Sequence, residues 1–134
     1  MLLDTDVLID VALDRRPHSD LASEILDRLE RGYRKAFVAW HSVSSFYYMV
    51  APLQGEKTAR DFILDLTRFV EVAETGTEAI RYAAALPMTD FEDAMLVAAA
   101  DACGARYIVT RNMKHFRRSP IPAISAEDAL GKLF

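Results

Sequence analysis

The sequence predicts an α/β fold built on a parallel sheet covered on both faces. Three observations point there. Short apolar runs alternate along the chain with segments of helical period. The first of those runs, Met1-Leu2-Leu3, ends abruptly on acids at Asp4 and Asp6, as a buried strand does when it feeds a loop and a helix. A 134-residue chain that is 51% hydrophobic can fill one core, which sets the expectation of a single domain over 1–134. Strands alternating with helices need crossover connections, and those bring neighbouring strands parallel.

Taken in order, residues 2–6 read as strand one, with 7–14 and 18–33 as helices. The second helix places Leu21, Ile25, Leu26 and Leu29 on one stripe and Gly32 near its end. Ala36-Phe37-Val38-Ala39-Trp40 reads as strand two. Val43 to Val50 is expected to form an aromatic-rich helix stopped by Pro52. Residues 56–68 form an amphipathic helix with Ala59, Phe62, Ile63 and Leu66 inward. Phe69-Val70-Glu71-Val72 is strand three, followed by helices over 77–86, closed by Pro87, and 90–103, running to Gly104. Tyr107-Ile108-Val109 is strand four. Ile121 to Ile124, flanked by prolines, is expected at a sheet edge. Ser125 caps a last helix with Glu127 and Asp128 in its first turn.

No apolar stretch approaches the ~20 residues needed to cross a bilayer, so no membrane is expected. No basic leader precedes a long apolar segment at the N-terminus. The single cysteine, Cys103, reads as a small packed residue in a reducing compartment, which points to the cytoplasm. A net charge of −4 argues weakly against a strongly basic nucleic-acid binder, yet Arg111, Lys114, His115, Arg117 and Arg118 form a local basic run just past strand four. That run is either a solvated loop or a hold on a phosphate backbone.

The acids carry the chemical reading. Asp4 is expected at the carboxyl end of strand one, where open α/β sheets place their ligands. Asp90-Phe91-Glu92-Asp93 opens a helix far downstream. Magnesium takes oxygen ligands and commonly one or two carboxylates with water and phosphate, so Asp4 and Asp93 are the candidate ligands, with Asp90 three residues from Asp93 on the same face. Helix capping competes with this reading. Asp6 can be a first-turn acid, and Thr89 with Glu92 fits a capping box. Asp4, expected to precede the cap and belong to the strand, fits capping less well. Asp93 is expected past the cap near Met95 and Leu96, where an acid needs solvent or a cation. No Ser-His-Asp arrangement, zinc spacing or phosphate-cradling glycine loop stands beside these acids; His18, His41 and His115 are scattered. Phe46, Tyr47 and Tyr48 read as core and groove wall in preference to a base-stacking platform.

The ordered set Leu2-Leu3-Asp4-Thr5-Asp6-Val7-Leu8-Ile9-Asp10, Trp40-His41-Ser42-Val43-Ser44-Ser45-Phe46-Tyr47-Tyr48, Asp90-Phe91-Glu92-Asp93-Ala94 and Ile108-Val109-Thr110-Arg111-Asn112 with Phe116 resembles the PIN domain. The resemblance runs over almost the whole chain. It implies a three-layer α/β/α sandwich with a parallel, roughly five-stranded sheet and a magnesium- or manganese-dependent ribonuclease site, as in VapC-like toxins of toxin–antitoxin pairs. It carries the first family acid to Asp4 and the helix acid to Asp93, with Asp90 beside it. Asp6, Thr110 and Asn112 fall at positions that support the site. Two family acids are replaced, by Ser45 and Asn112, which bring hydrogen bonds and no charge.

The expectation is a metal-dependent endoribonuclease acting on RNA phosphodiesters. Asp4, Asp93 and Asp90 would serve the metal, with Arg111, Lys114, Arg117 and Arg118 on the RNA backbone. Expected partners are the RNA substrate, an antitoxin protein and a second copy in a homodimer. The Phe46-Tyr47-Tyr48-Met49 run and the 18–33 helix are candidate walls of an antitoxin groove, with plain core packing as the alternative. The competing reading is a catalytically weakened PIN module that binds RNA or protein. A doubly wound phosphatase lacks a nucleophile loop here.

Overall fold

A computed structural model describes residues 1–134. Five strands, β1 (Leu2–Leu3), β2 (Phe37–Val38), β3 (Glu71–Val72), β4 (Ile108–Val109) and β5 (Ala123–Ile124), alternate with seven helices. These are α1 (Thr5–Ala12), α2 (His18–Glu30), α3 (Trp40–Gln54), α4 (Glu56–Leu66), α5 (Thr77–Ala85), α6 (Phe91–Ala102) and α7 (Ala126–Leu133). The strands form one sheet in the order β3-β2-β1-β4-β5 with every neighbour parallel. The fold is the α/β/α sandwich that the alternation predicts.

Each strand is only two residues long, and burial explains why such short strands persist. Side chains of successive strand residues point to opposite faces. Leu3, Val38, Val109 and Ile124 join one apolar cluster with residues of α1, α2, α3, α4 and α7. Leu2 and Ile108 join the other, with Leu96, Val97 and Ala100 of α6. Leu2, Leu3, Ile108 and Val109 are all fully buried. Burial of each such side chain contributes roughly 1.5–3 kcal/mol, more than a two-residue ladder supplies alone.

The boundaries depart from the sequence reading where capping and packing compete with apolar runs. Strand one ends at Leu3, and Asp4 is the cap of α1, its Oδ1 accepting from the Thr5 amide at 2.6 Å. Trp40 closes no strand and instead begins α3, which continues past Pro52 to Gln54. Proline removes one amide from the last turn, and the helix stops at Gly55, whose φ of +94° favours glycine. Thr89 is not the cap of α6. Asp90 is, accepting from the Asp93 amide at 3.0 Å. The edge strand is confined to Ala123–Ile124, and the carbonyl of Pro122 still accepts from the Ile108 amide. A short 3-10 helix over Met113–Phe116, absent from the sequence reading, shapes the basic run.

This topology locates a site. The chain builds outward from β1 to β2 and β3 on one side and to β4 and β5 on the other. The connections therefore diverge at β1, leaving a crevice beyond its carboxyl end. Asp4 follows β1 directly, Thr110 follows β4, and the Asp4 amide donates to the Val109 carbonyl at 3.0 Å.

Candidate active site

Three segments converge in that crevice. Asp4 and Asp6 come from the start of α1, Thr110 to Asn112 from the loop after β4, and Asp93, near enough to raise the Asp4 pKa, from the start of α6 with Asp90 beside it. Thr110 is the link between the first two. Its hydroxyl lies 2.8 Å from Asp4 Oδ2 and 3.1 Å from Asp6 Oδ2, while accepting from the Asn112 amide at 3.0 Å. Asp6 Oδ2 also accepts from the Arg111 amide at 2.9 Å and from Asn112 Nδ2 at 3.4 Å. Thr110, Asn112 and Asp6 thus stand together beside Asp4.

The charge here is not balanced. Burial pushes the Asp4 carboxyl up to about 7, with Asp6 and Asp93 adding to the rise and the Thr110 and Thr5 hydrogen bonds opposing it. Burial also raises Asp6, partly offset by the Arg111 and Thr110 contacts. Asp93 is raised by burial and by Asp90, against the pull of His115. The buried Asp6 Oδ1 and Asp93 Oδ2 have no hydrogen-bond partner. His115 Nδ1 lies 3.3 Å from Asp93 Oδ2, at ion-pair distance but without hydrogen-bond alignment. Crowded carboxylates with unused oxygens fit a hard cation, and the acids themselves offer only oxygen. No three His, Cys, Asp or Glu side chains gather closely enough to form a metal cage, so the fit is to an ion held by few protein ligands and completed by water or phosphate.

The replaced acids look different in space than in sequence. Ser45 Oγ donates to Glu92 Oε1 at 3.4 Å, so α6 delivers a carboxylate to the place where α3 carries none. The capping-box role for Glu92 is not realised. His41, one turn before Ser45, is held low by burial and faces Glu92, and its buried Nε2 lacks a partner. Glu92 and His115 lie beside these residues, contacts that sequence reasoning did not foresee. The signal for His115 was its place inside the basic run, one residue before the buried Phe116.

That run is divided. The Arg111 guanidinium is engaged 2.7 Å from Asp10, a carboxylate only 2% exposed. Lys114, Arg117 and Arg118 instead line a cavity of about 480 Å³ together with His115, Asp90 and Asp93. Phe46 is buried and stacked on Phe62 at 4.8 Å, and so takes the core alternative of the two open to it. Tyr48 and Met49 are exposed.

Comparison with known proteins agrees with this architecture. A family model described as the PIN domain matches residues 1–114. No curated protein sequence matches the chain. Among solved structures, VapBC2 of Rickettsia felis bound to a promoter DNA fragment superposes with a TM-score of 0.71 at 16% identity, covering 92% of this chain and 96% of that one. FitAcB of Neisseria gonorrhoeae gives 0.63 at 20% identity, with 94% and 97% covered. The sarcin-ricin loop cleaving toxin VapC20 of Mycobacterium tuberculosis gives 0.63 at 12% identity, with 80% and 85% covered. At these identities the likeness is one of fold.

Proposed function

The chain belongs to the PIN domain family, and from that premise we propose that it is a divalent-metal-dependent endoribonuclease, the toxin of a toxin–antitoxin pair. The observation that carries this reading is the uncompensated carboxylate cluster at the divergence of the sheet, flanked by a basic cavity. Asp4 and Asp93 are the residues that would hold magnesium or manganese, with Asp90 and Asp6 beside them. Such an ion supplies Lewis-acid polarisation of a phosphodiester and a water of lowered pKa.

The remaining work falls to the chain itself. Thr110 holds Asp4 and Asp6 in place by sharing one hydroxyl between them. Asp90 fixes the first turn of α6 and with it the position of Asp93. His115 faces Asp93, its Nδ1 3.3 Å from Asp93 Oδ2, and would be the imidazole nearest the metal-holding acids. Lys114, Arg117 and Arg118 offer the phosphate backbone three cations along one wall. Arg111 has a different task, since its charge is already spent on Asp10.

Complexes of VapBC2 and FitAcB support an antitoxin as partner, and a homodimer is the assembly we propose for the free protein. Two observations favour the alternative of a weakened binding module: no three acids or histidines gather as a cage, and positions 45 and 112 are neutral. Cleavage of a labelled single-stranded RNA, with magnesium titrated in and then chelated, decides between them. Metal-dependent product formation is expected. RNA binding without any cleavage at saturating magnesium or manganese would establish the binding module instead.

A further inference from the structure

On the other flank of the acids lies a surface that this chemistry does not use. Trp40, Ser44 and Tyr48 follow one another at four-residue spacing along α3 and so share a face. Trp40 is 75% exposed and Tyr48 74%, unusual for large aromatic side chains beside a charged site. With Val43, Tyr47 and Ile63 they line an open groove of about 480 Å³. The sole charged residue in its lining is Arg60, whose guanidinium sits 5.8 Å from the Tyr47 ring centre.

The sheet places this groove relative to the acids. Leu3 pairs with Val38, so Asp4 lies opposite Ala39, and Trp40 is the next residue along. His41 and Ser45, which face Glu92, are one residue further round the same helix than Trp40 and Ser44. Three features therefore follow the carboxyl edge of three adjacent strands: the basic cavity after β4, the acids after β1, the aromatic stripe after β2. Adjacent strands lie ~4.8 Å apart, which makes β4 to β2 about 10 Å, within reach of neighbouring nucleotides of one strand.

We propose that Trp40 and Tyr48 form a stacking subsite for an unpaired nucleobase of the RNA that crosses the acidic site, with Arg60 available to its phosphate. The inference rests on the ribonuclease reading and narrows it to single-stranded RNA. Aromatic planes beside an isolated cation suit a base and its phosphate, because stacking tolerates any base and the cation holds the backbone. The position favours RNA over a protein segment: Trp40 lies just past the end of β2, next to the strand end that carries Asp4, and so would be the first aromatic met by a strand leaving the acids on that side.

Trp40 is the only tryptophan, so its emission reports the subsite directly. The experiment titrates a short, labelled single-stranded oligoribonucleotide into an Asp4→Asn background, following RNA anisotropy and Trp40 emission together. Saturable quenching in step with anisotropy is expected. Tyr48→Ala should weaken binding ~10-fold and Tyr48→Phe hardly at all, while a base-free ribose-phosphate chain should bind both variants equally. Both substitutions are at an exposed position, and circular dichroism confirms that the fold is kept. RNA binding with unchanged Trp40 emission and unchanged affinity in Tyr48→Ala overturns the subsite and leaves the nuclease reading standing. Emission that moves with protein concentration before RNA is added assigns the face to a second copy and also overturns it. Absence of any RNA binding removes both readings.

Discussion

Thr110 has one hydroxyl proton and two carboxylates within 3.1 Å, so it can donate to only one of Asp4 and Asp6 at a time, and Asp6 Oδ1 has no donor at all. That shortage is what makes each residue testable alone. Asp4→Asn removes a charge while keeping the shape, and asparagine caps a helix as well as aspartate does. The variant should fold, show at least wild-type thermal stability without metal, and lose magnesium-dependent RNA cleavage by orders of magnitude. Cleavage at the parental rate would show that Asp4 is not a ligand. Thr110→Val leaves both acids short of their common partner and should lower stability by ~1–3 kcal/mol at pH 7 in denaturant titrations. Asp4 was legible in the sequence because it follows a strand directly, while Asp6, Thr110 and Asn112 were brought beside it by the family resemblance. Glu92 with Ser45 and Asp93 with His115 were not legible. Each is a contact between elements whose relative placement only the packed helices determine.

At the scale of elements, the loop after β4 divides its cations between structure and surface. Neutralising Lys114, Arg117 and Arg118 together should reduce the dependence of log Kobs on log salt by about 2, from ~0.7 per phosphate contact on single strands, with magnesium affinity little changed. Arg111→Ala should behave otherwise. It leaves buried Asp10, whose Oδ1 already lacks a partner, without its cation, and should cost about 3 kcal/mol of stability. A stability loss from the triple variant, or none from Arg111→Ala, would reverse this division. Helix α3 meets α6 through Ser45 and Glu92, so Ser45→Glu should set two acids side by side. Magnesium affinity should rise while metal-free stability falls, and calorimetry with thermal melts reads both. Apolar period located the elements well and their ends poorly. Asp4 and Asp90 cap helices that the apolar runs placed two or one residues away, and a capping acid looks the same in sequence as a ligand.

The whole molecule carries the consequence of placing acids where its strands diverge. Burial there raises the folded pKa of Asp4 from 3.8 to about 7. Because the folded value is the higher one, the contribution to stability is fully present below pH ~4, where both states are protonated. It is lost as pH rises towards 7, because the unfolded chain has released its proton and the folded chain resists doing so. Asp6 and Asp93 are raised in the same direction and extend the effect. One pKa unit is ~1.4 kcal/mol, so Asp4 alone bounds the loss at roughly 4 kcal/mol, with protonation shared across the cluster. The parallel sheet and its covered faces were legible from alternation, but this linkage was not, since it arises from the depth of the acids and not from their spacing. In chelator, the melting temperature should therefore fall between pH 5 and pH 7. Magnesium competes with the proton for the same oxygens, so its addition should raise the melting temperature strongly at pH 7 and weakly at pH 5. Melting scans across this range, with and without the ion, measure it. A metal-free protein more stable at pH 7 than at pH 5, or a magnesium shift equal at both, would mean that the cluster is neither strained nor the seat of the ion.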